Sequence, residues 1–200
     1  MTAADHLIVA AAWLSFSLGH SLLTASWAQQ RSQALVGRWS RLAYNGFAGI
    51  HLAAVLWVGE RWISGAPLAT VVEGGLWFDG ARLSVSVIGA LILVIAARDY
   101  DLGRFFGLAQ LRGDALGDER LQVQRLHRFI RHPLYTGSML ILWARVETDA
   151  HLATAIWTSA YFMIGSIFEE RKLVRLYCQA YRDYQSDTPA FLPWRRGGSV

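Results

Sequence analysis

Leu7-Ile8-Val9-Ala10-Ala11-Ala12-Trp13-Leu14-Ser15-Phe16-Ser17-Leu18-Gly19-His20-Ser21-Leu22-Leu23-Thr24-Ala25-Ser26-Trp27 runs without a single aspartate, glutamate, lysine or arginine. A helix needs roughly 20 residues to cross the hydrocarbon core of a bilayer, and this run supplies them. Its approach, Met1 to His6, is acidic and neutral rather than basic. The run therefore reads as a retained first membrane helix, not a cleaved signal. Four further apolar segments follow: Leu42 to about Val58, Leu83 to Ala97, Leu134 to Val146 and Leu152 to Phe168. The second and third nearly reach spanning length. The fourth reaches only about 20 Å as a helix. Glu147-Thr148-Asp149-Ala150 joins the last two, which predicts a tight helical hairpin. The fold expected is an all-α integral membrane protein of about five transmembrane helices, the fourth and fifth forming that hairpin. Residues 1–97 form an N-terminal three-helix membrane region. Residues 98–200 hold an interfacial segment, the hairpin and a cytoplasmic C-terminal region.

Composition agrees with a membrane setting. The chain is 54% hydrophobic and 17% charged, with a positive mean hydropathy, so it carries less charge than a soluble domain of its 200 residues would. Nine tryptophans suit a protein with two membrane–water interfaces. One cysteine, Cys178, excludes an internal disulfide framework and a cysteine-based zinc site. The net charge of +4 is spread among loops, which argues for topology and headgroup contacts and against a nucleic-acid partner. With the N-terminus outside, residues 25–41, 98–133 and 169–200 lie inside and carry 16 of the 19 lysines and arginines. The positive-inside rule favours that orientation, in the plasma membrane of a bacterium. Residues 98–133 interleave apolar and charged side chains, which predicts some amphipathic helix at the cytoplasmic interface. The tail from Arg195 to Val200 is expected to fray.

Two constellations could carry chemistry. Arg131-His132-Pro133-Leu134-Tyr135-Thr136-Gly137 stands where a basic segment enters the fourth apolar run. Proline suits a first helical position, where its missing N–H would be unpaired anyway. A helix start beside an arginine is a ready anion site. Gly137, one turn in, lets a ligand or another backbone come close. The competing reading is a basic interfacial anchor followed by a helix cap. The second constellation starts at Glu169-Glu170-Arg171-Lys172-Leu173. On a continuing helix, Glu170, Leu173, Tyr177, Tyr181 and Tyr184 share one face. A carboxylate followed by tyrosines suits a cation. The competing reading is an interfacial helix with tyrosines at headgroup level. His20, Asn45 and His51 fall inside apolar segments, where polar groups face the bundle interior. Each imidazole serves equally as a helix–helix hydrogen bond, and His20, His51 and His132 are also conceivable haem ligands. No metal site is expected from spacing.

Together the two constellations suit a ligand with an anionic carboxylate and cationic centres, such as S-adenosylmethionine. Arg131 and the helix start would take the carboxylate. One of Glu169 and Glu170 would take the amine. The tyrosines would face the sulfonium or the adenine.

Leu126-His127-Arg128-Phe129-Ile130-Arg131-His132-Pro133-Leu134-Tyr135-Thr136-Gly137, then Glu169-Glu170-Arg171-Lys172-Leu173, Tyr181-x-x-Tyr184 and Pro189-x-Phe191-Leu192-Pro193 resemble the cofactor half of the isoprenylcysteine carboxyl methyltransferase superfamily. The resemblance covers about 70 residues. His20-Ser21-Leu22-Leu23, Asp101-Leu102-x-x-Phe105-Phe106-Gly107-Leu108-x-Gln110-Leu111 and His151-Leu152-Ala153 are similar to one branch, the NnrU-like proteins and bacterial methanethiol S-methyltransferases. The resemblance implies a membrane-embedded S-adenosylmethionine-dependent methyltransferase acting on a thiol, carboxylate or lipid-like acceptor. Carried over residue by residue, it implies cofactor binding by Arg131, His132, Pro133, Leu134, Tyr135, Gly137, Glu169, Glu170 and Tyr181. A thiol acceptor must become a thiolate, for which His132 or His20 would serve as the base. The alternative is a non-enzymatic NnrU-like membrane protein of nitrogen-oxide or haem metabolism. The superfamily has Gly at the positions of Arg125 and Cys178. Gly permits positive φ or close approach, so both replacements bear on turn geometry.

Overall fold

A computed structural model describes residues 2–63, 75–113, 121 and 123–193. The expected fraying of Arg195 to Val200 lies outside them. The described residues are helical: α1 (Ala3–Thr24), α2 (Ser26–Val36), a 3-10 turn (Gly37–Trp39), α3 (Ser40–Ile63), α4 (Leu76–Ala97), α5 (Leu102–Phe106), α6 (Leu108–Arg112), a 3-10 turn (Arg125–Arg128), α7 (Pro133–Ala144), α8 (Asp149–Tyr177) and α9 (Gln179–Asp187).

The five-span arrangement, with its membrane hairpin of fourth and fifth helices, is corrected. Among the described residues three helical stretches are long and apolar enough to cross a membrane: Ala3–Thr24, Ser26–Glu60 and Leu76–Ala97. The physical reason is different for the two that fall away. α7 has 12 residues and reaches about 18 Å, well short of the ~30 Å hydrocarbon core. α8 has 29 residues, but Thr154, Thr158, Ser159, Tyr161 and Ser166 dilute its apolar part, and charge begins at Glu169. The three long apolar helices mark a membrane-associated protein.

The chain folds as two compact units, each gathered from separate stretches. Unit 1 takes the described residues of Met1–Val71, Asp101–Asp118 and Thr148–Trp157. In it α1 and α3 run antiparallel. The His20 Nε2 and Tyr44 hydroxyl meet at 2.5 Å, and the Ser15 hydroxyl and His51 Nε2 at 3.1 Å. The Phe16 ring lies against both imidazoles, at 5.6 and 5.5 Å between centroids. α1 begins with a capping box: Thr2 accepts from the Asp5 N–H, and Asp5 accepts from the Thr2 N–H. Among the described residues just after α4 the chain forms the two short helices α5 and α6. Asp101 caps α5 by accepting from Arg104 N, and Gly107 (φ 90°) ends it after five residues. The carbonyl of Phe105 there accepts from Asn45 Nδ2 at 2.7 Å and Arg41 Nε at 3.3 Å. Asn45 thus ties α5 to α3.

Unit 2 takes the described residues of Val72–Tyr100, Glu119–Glu147 and Thr158–Val200. α4 packs along α7 across a glycine seam. A Cβ at Gly89 would lie 2.8 Å from the Gly137 carbonyl oxygen, and a Cβ at Gly137 would lie 2.8 Å from that of Gly89. At the far end of α7, Arg82 donates to the Ala144 carbonyl at 2.7 Å and pairs with Glu147 at 2.5 Å. The indole of Trp143 donates to the Ser159 hydroxyl at 3.0 Å, tying α7 to α8.

Candidate active site

Pro133 opens α7 as its first residue, and it is fully buried. The two N–H groups just before it are satisfied by a strap from the end of the chain. Arg131 N donates to Pro189 O and His132 N to Ala190 O, each at 2.9 Å. Thr136 Oγ1 donates to Phe191 O at 2.8 Å. The basic entry and the proline-flanked tail are therefore one piece of backbone structure.

Side chains build on this strap. Arg131 Nε donates to Glu170 Oε1 at 2.7 Å. Its Nη1 donates to the carbonyls of Gln185 (3.1 Å) and Thr188. His132 Nε2 meets the same Glu170 Oε1 at 2.9 Å, and Gln185 Nε2 donates to Glu170 Oε2 at 2.8 Å. Glu170 thus has three side-chain donors on its two oxygens. Burial pushes its pKa up, but hydrogen bonds from His132 and Arg131, the Arg131 charge and the Gln185 amide outweigh this and hold it at about 2.

Glu169 is placed differently. Its side chain is 43% exposed, against 16% for Glu170. Tyr135 donates to its Oε2 at 2.9 Å, and His132 Nδ1 lies 3.6 Å from that oxygen. The Tyr135 ring stacks between His132 (5.3 Å) and Phe162 (4.7 Å), and Phe191 covers the imidazole at 5.5 Å. Burial first, then the charge of Glu169 and its hydrogen bond, pushes the Tyr135 phenol well above its usual range. Because Glu170 stays ionised, His132 Nε2 carries the hydrogen of that contact. In the neutral ring Nδ1 is then the lone-pair atom.

The structure brings Arg131, His132, Tyr135, Glu169 and Glu170 into one cluster. Leu134 sits half-buried in the first turn of α7. Gly137 faces the α4 backbone at Gly89, so the close approach it permits is used by another helix. Tyr181 is in the same unit but is 2% exposed, with its ring edge-on to Tyr184. The Tyr184 hydroxyl donates to the His127 carbonyl at 2.5 Å. The tyrosine stripe is not continuous, because α8 ends at Tyr177 and Cys178 turns the chain with φ 50° and ψ −124° before α9 begins. Arg131, expected to hold a ligand carboxylate, spends Nε and Nη1 on the protein itself. His20 stands in unit 1, bonded to Tyr44.

Residue patterns did not single out Gln185, Thr188 or Asp99. Gln185 follows Tyr181 by one helical turn, which was a usable signal. Asp99 had none. Its Oδ1 pairs with Arg125 Nη1 at 2.7 Å, while its Oδ2 is buried with no hydrogen-bond partner among the described residues. Arg125 and Cys178 are the described non-glycine residues with positive φ, at 44° and 50°. The chain keeps the turn geometry at both positions without the glycine that would relax it.

No family model and no solved structure matches the chain. Curated proteins do. It is 31% identical over 193 residues to methanethiol S-methyltransferase 1 of Bradyrhizobium diazoefficiens, covering 90% of this chain and 64% of that protein. It is 30% identical over 129 residues to the methanethiol S-methyltransferase of Pseudomonas deceptionensis, covering 59% and 49%. It is 35% identical over 94 residues to the Mycobacterium tuberculosis enzyme of that name, covering 44% and 38%. The chain thus spans less than two thirds of the length of each. These likenesses make the chain a homologue, at moderate identity and over part of their length, of the bacterial methanethiol S-methyltransferases.

Proposed function

We propose that unit 2 binds S-adenosylmethionine and that the protein methylates a small thiol. The observation that carries this reading is the unequal setting of two adjacent glutamates. Glu170 is saturated by protein donors. Glu169 keeps an exposed carboxylate beside stacked aromatic rings. A cation fits that second setting, and the cofactor carries cationic amine and sulfonium groups. Relatives named for methanethiol supply the thiol class.

Bound there, the cofactor would supply a methyl carbon made electrophilic by its sulfonium charge. The chain's own residues do the rest. Glu169 takes the ligand amine, and the Tyr135 hydroxyl aims the carboxylate. Arg131, Glu170 and Gln185 position His132 rather than touching the ligand. Asp99 Oδ2 offers a buried acceptor to a ligand hydroxyl. His132 Nδ1 takes the proton as the thiol becomes a thiolate. The bias of lysine and arginine along the chain supports a cytoplasmic position for this end.

Calorimetric titration of the detergent-purified protein with S-adenosylmethionine tests the reading. Wild type binds saturably, and Glu169→Gln weakens binding about tenfold, the loss of a charge-assisted contact. A folded wild type that releases no binding heat and does not turn methanethiol into dimethyl sulfide overturns it.

A further inference from the structure

A groove with about 370 Å³ of space opens on unit 1. Its walls are Leu22 from the last turn of α1, Trp27 and Leu35 of α2, and Ala43 of α3; Arg31 and Ser32 stand on it. Where it lies relative to a bilayer follows from lengths. The Ser26–Glu60 stretch is interrupted at Gly37, and α3 alone has 24 residues, about 36 Å at the helical rise, enough for a core of ~30 Å. The part outside the core is α2, because Gln29, Gln30, Arg31, Ser32 and Gln33 are polar in a row and the apolar run begins at Leu42. Helix interruptions bound it on both sides, at Ala25 (ψ 141°) and Gly37 (φ 54°). α2 therefore lies at the interface where α1 leaves and α3 enters.

Leu35 is 84% exposed, and Trp27 and Trp39 are more than half exposed. Water does not stabilise such a face, whereas lipid does. The Arg31 side chain is exposed, and its guanidinium makes no hydrogen bond or ion pair among the described residues. We infer that this groove is a binding site for one anionic phospholipid, its acyl chain along Leu22, Leu35 and Ala43 and its phosphate on Arg31. The same charge bias that orients the chain puts α2 at the cytoplasmic leaflet, which is the anionic one.

Native mass spectrometry tests this on the full chain in micelles holding equal phosphatidylglycerol and phosphatidylcholine of matched acyl chains. Wild type retains phosphatidylglycerol about fivefold over phosphatidylcholine, the preference expected for one cation at a headgroup. Raising the ionic strength lowers that ratio in wild type. Arg31→Gln brings it close to one, Arg31→Lys keeps most of it, and Arg38→Gln in the next turn leaves it unchanged. A wild-type ratio near one, or a preference that survives Arg31→Gln, overturns the site.

Discussion

Unit 1 and unit 2 both contain histidines among helices, yet they use them in opposite ways. In unit 1 two imidazoles meet hydroxyls across a helix pair, Tyr44 for His20 and Ser15 for His51. The pairs join two helices and concentrate no net charge. In unit 2 one imidazole, one guanidinium and one amide converge on a single carboxylate, Glu170. Pairwise bonds fasten. A shared acceptor fastens too, but it also fixes the tautomer of His132 and leaves the neighbouring Glu169 available.

The difference can be broken most strongly at the shared acceptor. Glu170→Ala leaves a mostly buried Arg131 without its counter-ion and is expected to destabilise by about 3–5 kcal/mol. Arg131→Ala should lose a similar amount, and the double variant less than the sum. Thermal denaturation in detergent reads this. Acid sharpens it. Because Glu170 is held at about 2 against an ordinary 4.5, its stabilisation is complete above about pH 4.5 and disappears as pH falls to about 2. A Glu170→Gln variant should show a flatter pH profile of melting over that window.

Next in size is the glycine seam. Gly137→Ala or Gly89→Ala drives a methyl to within 2.8 Å of a backbone oxygen, so α4 and α7 must part. A loss of about 1–3 kcal/mol is expected, read by the same melts. Cys178→Gly should change stability the other way, by about 1 kcal/mol, since a side chain at φ 50° is strained and glycine is not. Smallest is unit 1. Tyr44→Phe removes one interhelical hydrogen bond, expected to be worth about 0.6 kcal/mol in a membrane helix pair. If Tyr44→Phe instead matched Glu170→Ala, the contrast between the units would fail.

Much of the site was legible because its chemistry is local in sequence. Arg131, His132 and Pro133 announce a helix start, and Glu169-Glu170 ends an apolar run. That Arg131 answers Glu170 across 39 residues follows once both are placed at one end of α7 and α8. What was not legible turned on backbone. Nothing in a cysteine announces positive φ, so the stripe from Glu170 to Tyr184 was drawn as one straight helix. The break at Cys178 buries Tyr181 and sends Tyr184 to a carbonyl. The fold shows a related limit. The fourth run is already short in the sequence, at about 20 Å, but apolarity alone does not weigh the hydroxyls that dilute α8.

The strap of Pro189, Ala190 and Phe191 over the start of α7 sets an order of events during synthesis. The N–H groups of Arg131 and His132, the Thr136 hydroxyl and Oε2 of Glu170 wait for partners that the ribosome delivers later, from Gln185 to residue 191. Until then the entry to α7 carries a cation and a carboxylate with incomplete company. Any chain interrupted before Phe191 stays in that half-made state. Insertion of the long apolar helices and completion of unit 2 are therefore separate steps in time, and quality control would meet the second as a test of whether the last turns of the chain have arrived.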